Sequence, residues 1–422
     1  MVEHIAVKGY RLFRDFETDL QPGINLFVGA NGSGKSTLVE LLRIIQSCAL
    51  GSVKPGIETR PLPGKVFHPL GEESIVWALT VSLSRTRDGR SLARCQHSMA
   101  IEGPPAPVRI TAEALARLWT RQKKGVYGSY SSQLREALLE PASHYWLLFS
   151  RFGTGGSVSE EPLGSPVKSP RVPLDPAEAM LSRMTDPRAR DSWRFRNAVL
   201  GWQFFSQLEV NRTATVRMPQ VVEGGTTLNE SGSNLSSVLL SLFTNLDYDA
   251  QREDFLSFVR SAVPEFRTLT PTPDPSTGQV VLQWVEREVG VKLSATDLSD
   301  GVLRVLMLGA ICCNPHPPSL ICIDEPEIGL HPKLLPLVGG LLRRAAERTQ
   351  LIVLTHSPDL LLGMPLESIA VMRKREGEAQ IVWPKDHDIL YDILTEEVAG
   401  ERELDRERFR DAFTSGELDE LG

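Results

Sequence analysis

The stretch Gly29-Ala30-Asn31-Gly32-Ser33-Gly34-Lys35-Ser36-Thr37 fits the pattern G-x-x-x-x-G-K-[ST], and its flanks restrict what can surround it. Before it runs the β-prone hexamer Gly23-Ile24-Asn25-Leu26-Phe27-Val28, and after it Leu38, Leu41, Leu42 and Ile45 recur at helical spacing. Strand, glycine loop, helix is the context in which backbone N–H groups turn inward and the helix start adds its positive dipole end, so that donors converge on phosphate oxygens. In such a loop Lys35 reaches the β- and γ-phosphates, and the Ser36 hydroxyl ligates Mg²⁺.

A second apolar run lies far downstream. Pro318-Ser319-Leu320-Ile321-Cys322-Ile323-Asp324-Glu325 reads as a buried parallel strand that delivers two carboxylates at its C-terminal edge. Asp324 is expected to hold Mg²⁺ through water, and Glu325 to align a water on the γ-phosphate. Alone, such a strand end is indistinguishable from an acidic helix cap; with the glycine loop it completes a phosphoryl-transfer set. Two further pieces are open on their own. Ser299, before Asp300-Gly301-Val302-Leu303, starts a helix where an anion would meet free N–H groups, or simply caps it. His356 ends the strand Leu351-Ile352-Val353-Leu354-Thr355, either as a site residue or as a packed strand-end histidine, and Pro358 opens the next element.

Composition narrows the class. A chain of 422 residues with 41% hydrophobic and 23% charged residues has the make-up of a soluble globular protein large enough for one elaborated domain or two ordinary ones. Its net charge of −7 argues against a surface coated for nucleic acid, so DNA binding must come from a local patch. Two clusters qualify: Arg117, Arg121, Lys123 and Lys124; and Arg183, Arg188, Arg190, Arg194 and Arg196, with Trp193 and Phe195 among them. A solvated face or a protein contact is the other reading, since Asp186 and Asp191 dilute the second cluster. The five cysteines show no CxxC or zinc spacing, and the expectation is reduced thiols in a cytoplasmic protein. The chain opens on a strand-like run with no leader pattern, and no apolar stretch approaches the roughly eighteen residues of a membrane helix.

In chain order, residues 1–104 read as an N-terminal lobe. It holds the hairpin of Ile5–Tyr10 with Phe13–Leu20, the glycine loop, and the hairpin of Ser74–Leu83 with Leu92–Ile101. Tyr10, Arg11 and Arg14 are candidates to lie over a nucleotide base. Residues 105–200 read as a helical insertion, with helices at Ala112–Arg121 and Ser131–Leu139 and a mobile Gly/Ser/Pro/Glu-rich linker at 153–173. Residues 201–385 form a second lobe with helices near 234–243 and 254–259 and strands at Gln279–Glu286 and 291–293, and residues 386–422 a helical tail. No repeat or heptad run appears.

As an ordered set, these pieces resemble the ABC-type ATPase heads of the RecF/SMC-like group, and among them the compact bacterial AAA-family ATPases without long coiled coils. The likeness includes Trp202-Gln203-Phe204-Phe205, Gly232-Ser233-Asn234-Leu235, Leu298-Ser299-Asp300-Gly301, the run from Asp324-Glu325-Pro326-Glu327 through Ile328-Gly329-Leu330-His331-Pro332, Thr355-His356-Ser357-Pro358 and Ser415-Gly416-Glu417-Leu418. The resemblance implies an α/β P-loop NTPase: an ABC/SMC-head-like mixed sheet with an antiparallel lobe and a helical insertion. It implies ATP and Mg²⁺ as cofactors and a head-to-tail homodimer in which each ATP is held by Lys35 of one subunit and by Ser299 and Gly301 of the other. Glu325 would be the general base, His356 the γ-phosphate sensor, and the Glu327–His331 loop the coupling between sites. One departure stands out. The segment Lys65–Glu72 lacks the glutamine that usually contacts metal and attacking water in such heads, leaving His68, Gln203 or Gln207 as substitutes.

Two roles follow: a DNA-associated switch in genome maintenance or anti-phage defence, or an ATP-gated platform for a separately encoded protein effector. A transporter ATPase fits the Asp300 and Pro326-Glu327 pattern poorly, and no membrane partner is expected.

Overall fold

In a computed structural model the described residues are 1–54, 57, 74–85, 91–103, 107–118, 145–158, 172–206, 208–288, 290–361, 364–386, 395–398, 401–405, 407–408 and 410–411. They fall into two compact units that the chain enters more than once. One comprises Met1–Pro22, Ala30–Trp202 and Met372–Ile381; the other Gly23–Gly29, Gln203–Val371 and Val382–Gly422.

The first unit is built on an eight-stranded antiparallel sheet. Its order is Phe13–Asp19, Val2–Tyr10, Ser74–Arg85, Ser91–Glu102, Arg109–Leu118, Tyr145–Phe152, Gly155–Val158, Val172–Pro173. Both hairpins expected from alternation form, with Val7 opposite Phe16 and Val76 opposite Ala100. Inward residues such as Ile5, Phe13, Trp77, Leu79 and Phe149 are fully buried. The glycine-loop helix Lys35–Leu50 and the helix Arg190–Leu200 also belong to this unit, and the Gln46 amide ties them together by donating to the carbonyls of Val199 (3.2 Å), Leu200 (3.1 Å) and Trp202 (2.8 Å).

The expected helical insertion at 105–200 is corrected here. Arg109–Leu118, read as part of a helix at Ala112–Arg121, is a strand paired on both sides, and Tyr145–Phe152 and Gly155–Val158 extend the same sheet. The Ala/Leu/Glu composition favours helix locally, but pairing and burial on a pleated surface override that preference. Glu113 shows how: it sits fully buried in the strand, accepts the backbone N–H groups of Met180 (2.5 Å) and Leu181 (3.0 Å), and lies 3.1 Å from His97 Nε2. Of the expected region only Arg190–Leu200 and a short turn at Met180–Arg183 are helical among the described residues. The linker reading at 153–173 fails at its two ends, where Gly155–Val158 and Val172–Pro173 are paired strands. The expected helix at 131–139 lies outside the described residues.

The second unit holds the parallel strands Gln203–Phe205, Leu320–Asp324, Gln350–Thr355 and Ile24–Val28 in that order, and the start of the strand Ile369–Arg375 pairs parallel with Ile24–Val28. Between the second and third of these strands the chain crosses over through the helix Leu335–Ala346, as a parallel pair requires. These strands are almost wholly buried and mostly apolar, and Leu26, Val28, Ile321, Ile323, Leu351 and Val353 join one large core with the helices Leu235–Thr244, Asp249–Ala262 and Asp300–Cys312. A smaller antiparallel sheet pairs Gln279–Glu286 with Phe266–Asp274, Gln220–Val221 and Lys292–Ser294. The tail is not simply helical: Thr395–Val398 and Glu401–Leu404 form an antiparallel pair, whose threonine and valine suit a strand better than a helix.

All five cysteines are buried and none forms a disulfide. Burial pushes the Cys313 thiol up to about 12 and also raises Cys312 and Cys48 well above the ordinary thiol value. No helix among the described residues is long and apolar enough to cross a membrane.

Candidate active site

In the first unit the glycine loop has the backbone its sequence demands. Gly32 and Gly34 have φ of +80° and +107°, and a Cβ on Gly34 would stand 2.8 Å from Ala379 Cβ, so both conformation and space require glycine there. The helix Lys35–Leu50 that follows has no side-chain cap. Its first N–H groups therefore need another acceptor. Lys35 is buried and donates from Nζ to the Ala30 carbonyl at 3.0 Å, Ser36 is exposed, and Ser33 Oγ is buried with no protein partner among the described residues. An uncapped helix start, an orphaned hydroxyl and a buried lysine fit a bound phosphate chain, with Ser36 placed to meet a metal ion.

In the second unit the parallel register brings the other predicted residues to one edge. Thr355 pairs with Val28, and Asp324 with Leu354. Gly29, Glu325 and His356 therefore each follow the carboxyl end of adjacent strands, where ligands bind in open α/β sheets. Glu325 adopts φ +51°, and its N–H donates to the Leu354 carbonyl at 2.8 Å. A non-glycine residue held in this region costs on the order of 1 kcal/mol, a strain found preferentially at functional sites. His356 Nε2 lies 3.3 Å from Glu325 Oε1.

The loop after Glu325 is tied back to the same edge. Glu327 Oε1 accepts the Thr355 hydroxyl at 2.6 Å and the His356 backbone N–H at 2.9 Å, while its Oε2 is buried without a partner among the described residues. The turn continues through Ile328, whose N–H donates to the Glu325 carbonyl at 3.1 Å, and Gly329 at φ +72°. A Cβ on Gly329 would stand 2.8 Å from Arg304 Nε, and one on Gly301 3.4 Å from the Gly329 carbonyl. Burial lowers the Arg304 guanidinium from its ordinary value, against the opposing pull of Asp300. This clasp of Glu327 on the His356 strand end is invisible in the sequence, where only the loop itself could be marked.

Ser299 is exposed at the start of Asp300–Cys312, where its Oγ accepts the Val302 N–H at 3.2 Å. The capping role is therefore real, and the hydroxyl proton is left to donate outward.

Some expectations fail. Tyr10 is fully buried, Arg11 pairs with Glu40, and Arg14 pairs with Glu378 at 3.1 Å, so Tyr10 presents no face to a base. Gln203 stands level with Ile321, three residues short of Asp324 along a parallel strand, or roughly 10 Å from the edge. It cannot stand in for the missing glutamine; His68 and Gln207 lie outside the described residues. Three of the clustered arginines pair with acids, Arg117 with Asp191 (2.8 Å), Arg183 with Glu178 (2.6 Å) and Arg188 with Asp186 (2.6 Å), and Phe195 is fully buried, while Arg121, Lys123 and Lys124 lie outside the described residues. A cleft of about 540 Å³ between Asp249–Ala262 and Leu335–Ala346 carries none of the predicted site residues.

Comparison with known proteins points to AAA-type ATPases. Residues 167–362 match a family model described as "AAA domain, putative AbiEii toxin, Type IV TA system", and residues 1–55 match an AAA ATPase domain. The DNA replication and repair protein RecF of Heliobacterium modesticaldum is 39% identical over 44 residues, a match spanning 10% of this chain and only 12% of that relative's length. Together these matches support a RecF/SMC-like ATPase. Its fold is that of SMC heads. An SmcHead bound to the C-winged helix domain of ScpA aligns with TM-score 0.50 at 12% identity, over 90% of this chain and 97% of that one. The Smc head with an extended coiled coil, bound to the C-terminal domain of ScpA from Pyrococcus furiosus, aligns with TM-score 0.51 at 12% identity, over 93% and 99%.

Proposed function

We propose that this RecF/SMC-like ATPase is a cytoplasmic, Mg²⁺-dependent ATP switch whose two copies close head-to-tail on shared nucleotides. The observation that carries the reading is the common strand edge of Gly29, Glu325 and His356, with Glu327 holding the last two segments together. Lys35 and the N–H groups from Gly29 to Thr37, including Asn31, Gly32, Ser33 and Gly34, bind the β- and γ-phosphates. Ser36 would ligate the metal and Asp324 would hold it through water, and the metal would neutralise charge on the phosphate oxygens. Glu325 takes the proton of the attacking water, and His356 donates toward the γ-phosphate. Ser299 and Gly301 of a second copy supply outer donors from an exposed helix start, because a P-loop alone leaves the outer γ-oxygens without preorganised partners.

For the output, a separately encoded protein effector is the reading better supported. Arg117, Arg183 and Arg188 of the basic clusters are already paired with carboxylates, which leaves less charge for a phosphate backbone. A DNA-associated role, in genome maintenance or anti-phage defence, draws its support from the short RecF match. Capture of partners on the Glu325→Gln protein with ATP in its native host, scored for both protein and nucleic acid, separates the two. Recovery of nucleic acid alone would overturn the effector reading.

A further inference from the structure

We infer that Arg217 is a positioning residue for the Ser299 segment, holding it in the geometry in which it can serve a second copy's nucleotide. The inference rests on the two-copy reading above and deepens it.

Arg217 is the final residue of a short turn, Thr215–Arg217, and only 6% of it is exposed. Its guanidinium bridges two stretches about eighty residues apart. Nε donates to the carbonyls of Val210 (2.9 Å) and Asn211 (3.1 Å). Nη1 donates to those of Ala295 (3.2 Å) and Leu298 (2.6 Å), with Thr296 at 3.5 Å, and Nη2 pairs with the Asp300 carboxylate. The planar fork thus spans the residues before and after Ser299, contacting Leu298 on one side and Asp300 on the other. Asp297 pins the same stretch from within, accepting the Ser294 N–H at 2.8 Å and its hydroxyl at 2.7 Å; these bonds hold its carboxyl below the usual carboxylate range. Ser299 itself stays exposed, with its oxygen engaged by Val302 and its proton available.

A segment that must place one hydroxyl and the first helical N–H groups against another molecule's phosphate gains from such bracing, since a displacement of about 1 Å can cost on the order of a hundredfold in rate. Lysine cannot reproduce it: a single ammonium has no planar fork with which to serve six acceptors in two directions. Asp300, with a side chain 61% exposed, is its one charged partner among the described residues.

The test exploits the head-to-tail geometry. Arg217→Lys should bind a fluorescent ATP analogue within about twofold of wild type, because the Lys35 half is untouched, yet turn ATP over at least about tenfold more slowly. Lys35→Ala is inactive for the opposite reason. In a one-to-one mixture, half of the dimers are mixed and each contains one intact composite site, so activity should return to about a quarter of wild type. The control mixture of Lys35→Ala with Ser299→Ala should behave the same way. If the control recovers activity and the Arg217→Lys mixture does not, or if Arg217→Lys alone turns over at the wild-type rate, the Arg217 assignment is overturned. If the control itself stays inactive, the two-copy reading fails instead. Should Arg217→Lys lack a cooperative thermal transition, Asp300→Ala carries the same mixture test on an exposed side chain, and wild-type turnover by that variant overturns the assignment.

Discussion

Glu327 offers the sharpest test of how the strand edge works. Its Oε1 accepts two bonds, from the Thr355 hydroxyl at 2.6 Å and from the His356 N–H at 2.9 Å, and Thr355 is fully buried. Hydrogen bonds to a charged acceptor contribute about 1.5–3 kcal/mol each, and bonds sharing one acceptor are not additive, so Glu327→Ala should lower stability by about 3 kcal/mol. The larger effect should be on rate. With His356 no longer anchored at its backbone, its ring loses the position 3.3 Å from Glu325, and turnover should fall about a hundredfold. Glu327→Gln keeps an oxygen where Oε1 stands and should lose less in both respects. Urea unfolding gives the first quantity and single-turnover hydrolysis with enzyme in excess gives the second. Turnover by Glu327→Ala within twofold of wild type, with the stability loss confirmed, would refute the idea that Glu327 positions His356.

Three further outcomes are expected. Lys35→Ala should abolish nucleotide binding in calorimetry, since the buried ammonium is the loop's only charged donor. Gly34→Ala should leave the chain folded but weaken ATP binding at least about tenfold, because a left-handed residue at φ +107° with a Cβ 2.8 Å from Ala379 must distort the loop and so shift its N–H groups. Burial that raises the thiols of Cys48, Cys312 and Cys313 predicts that the folded protein resists a thiol-specific chromogenic reagent at pH 8, with all five cysteines reacting only after unfolding; rapid labelling of the native chain would contradict their placement.

What the sequence made legible was whatever is encoded within a few residues. The glycine loop, the apolar strand ending in Asp324-Glu325, and the helix begun by Ser299 all declare themselves by local pattern, and the structure has each as a distinct element. The strand Arg109–Leu118 did not, because its alanines and leucines are good helix formers and only its neighbours in the sheet make it extended. The pairing of the clustered arginines was hidden for a related reason: the partner of Arg117 is Asp191, 74 residues away, and that pairing exists only once the chain has folded. The same holds for Arg217 and Asp300, separated by 83 residues. Tyr10 looked like an exposed hairpin residue, yet the sheet buries it completely.

Closure of two chains on shared triphosphates doubles the particle mass. Light scattering on Glu325→Gln, which should bind ATP and Mg²⁺ but scarcely hydrolyse it, measures that directly. The predicted result is twice the monomer mass with ATP and Mg²⁺, reverting to monomer mass when Ser299→Ala is added. Saturation with ATP at unchanged monomer mass would contradict it.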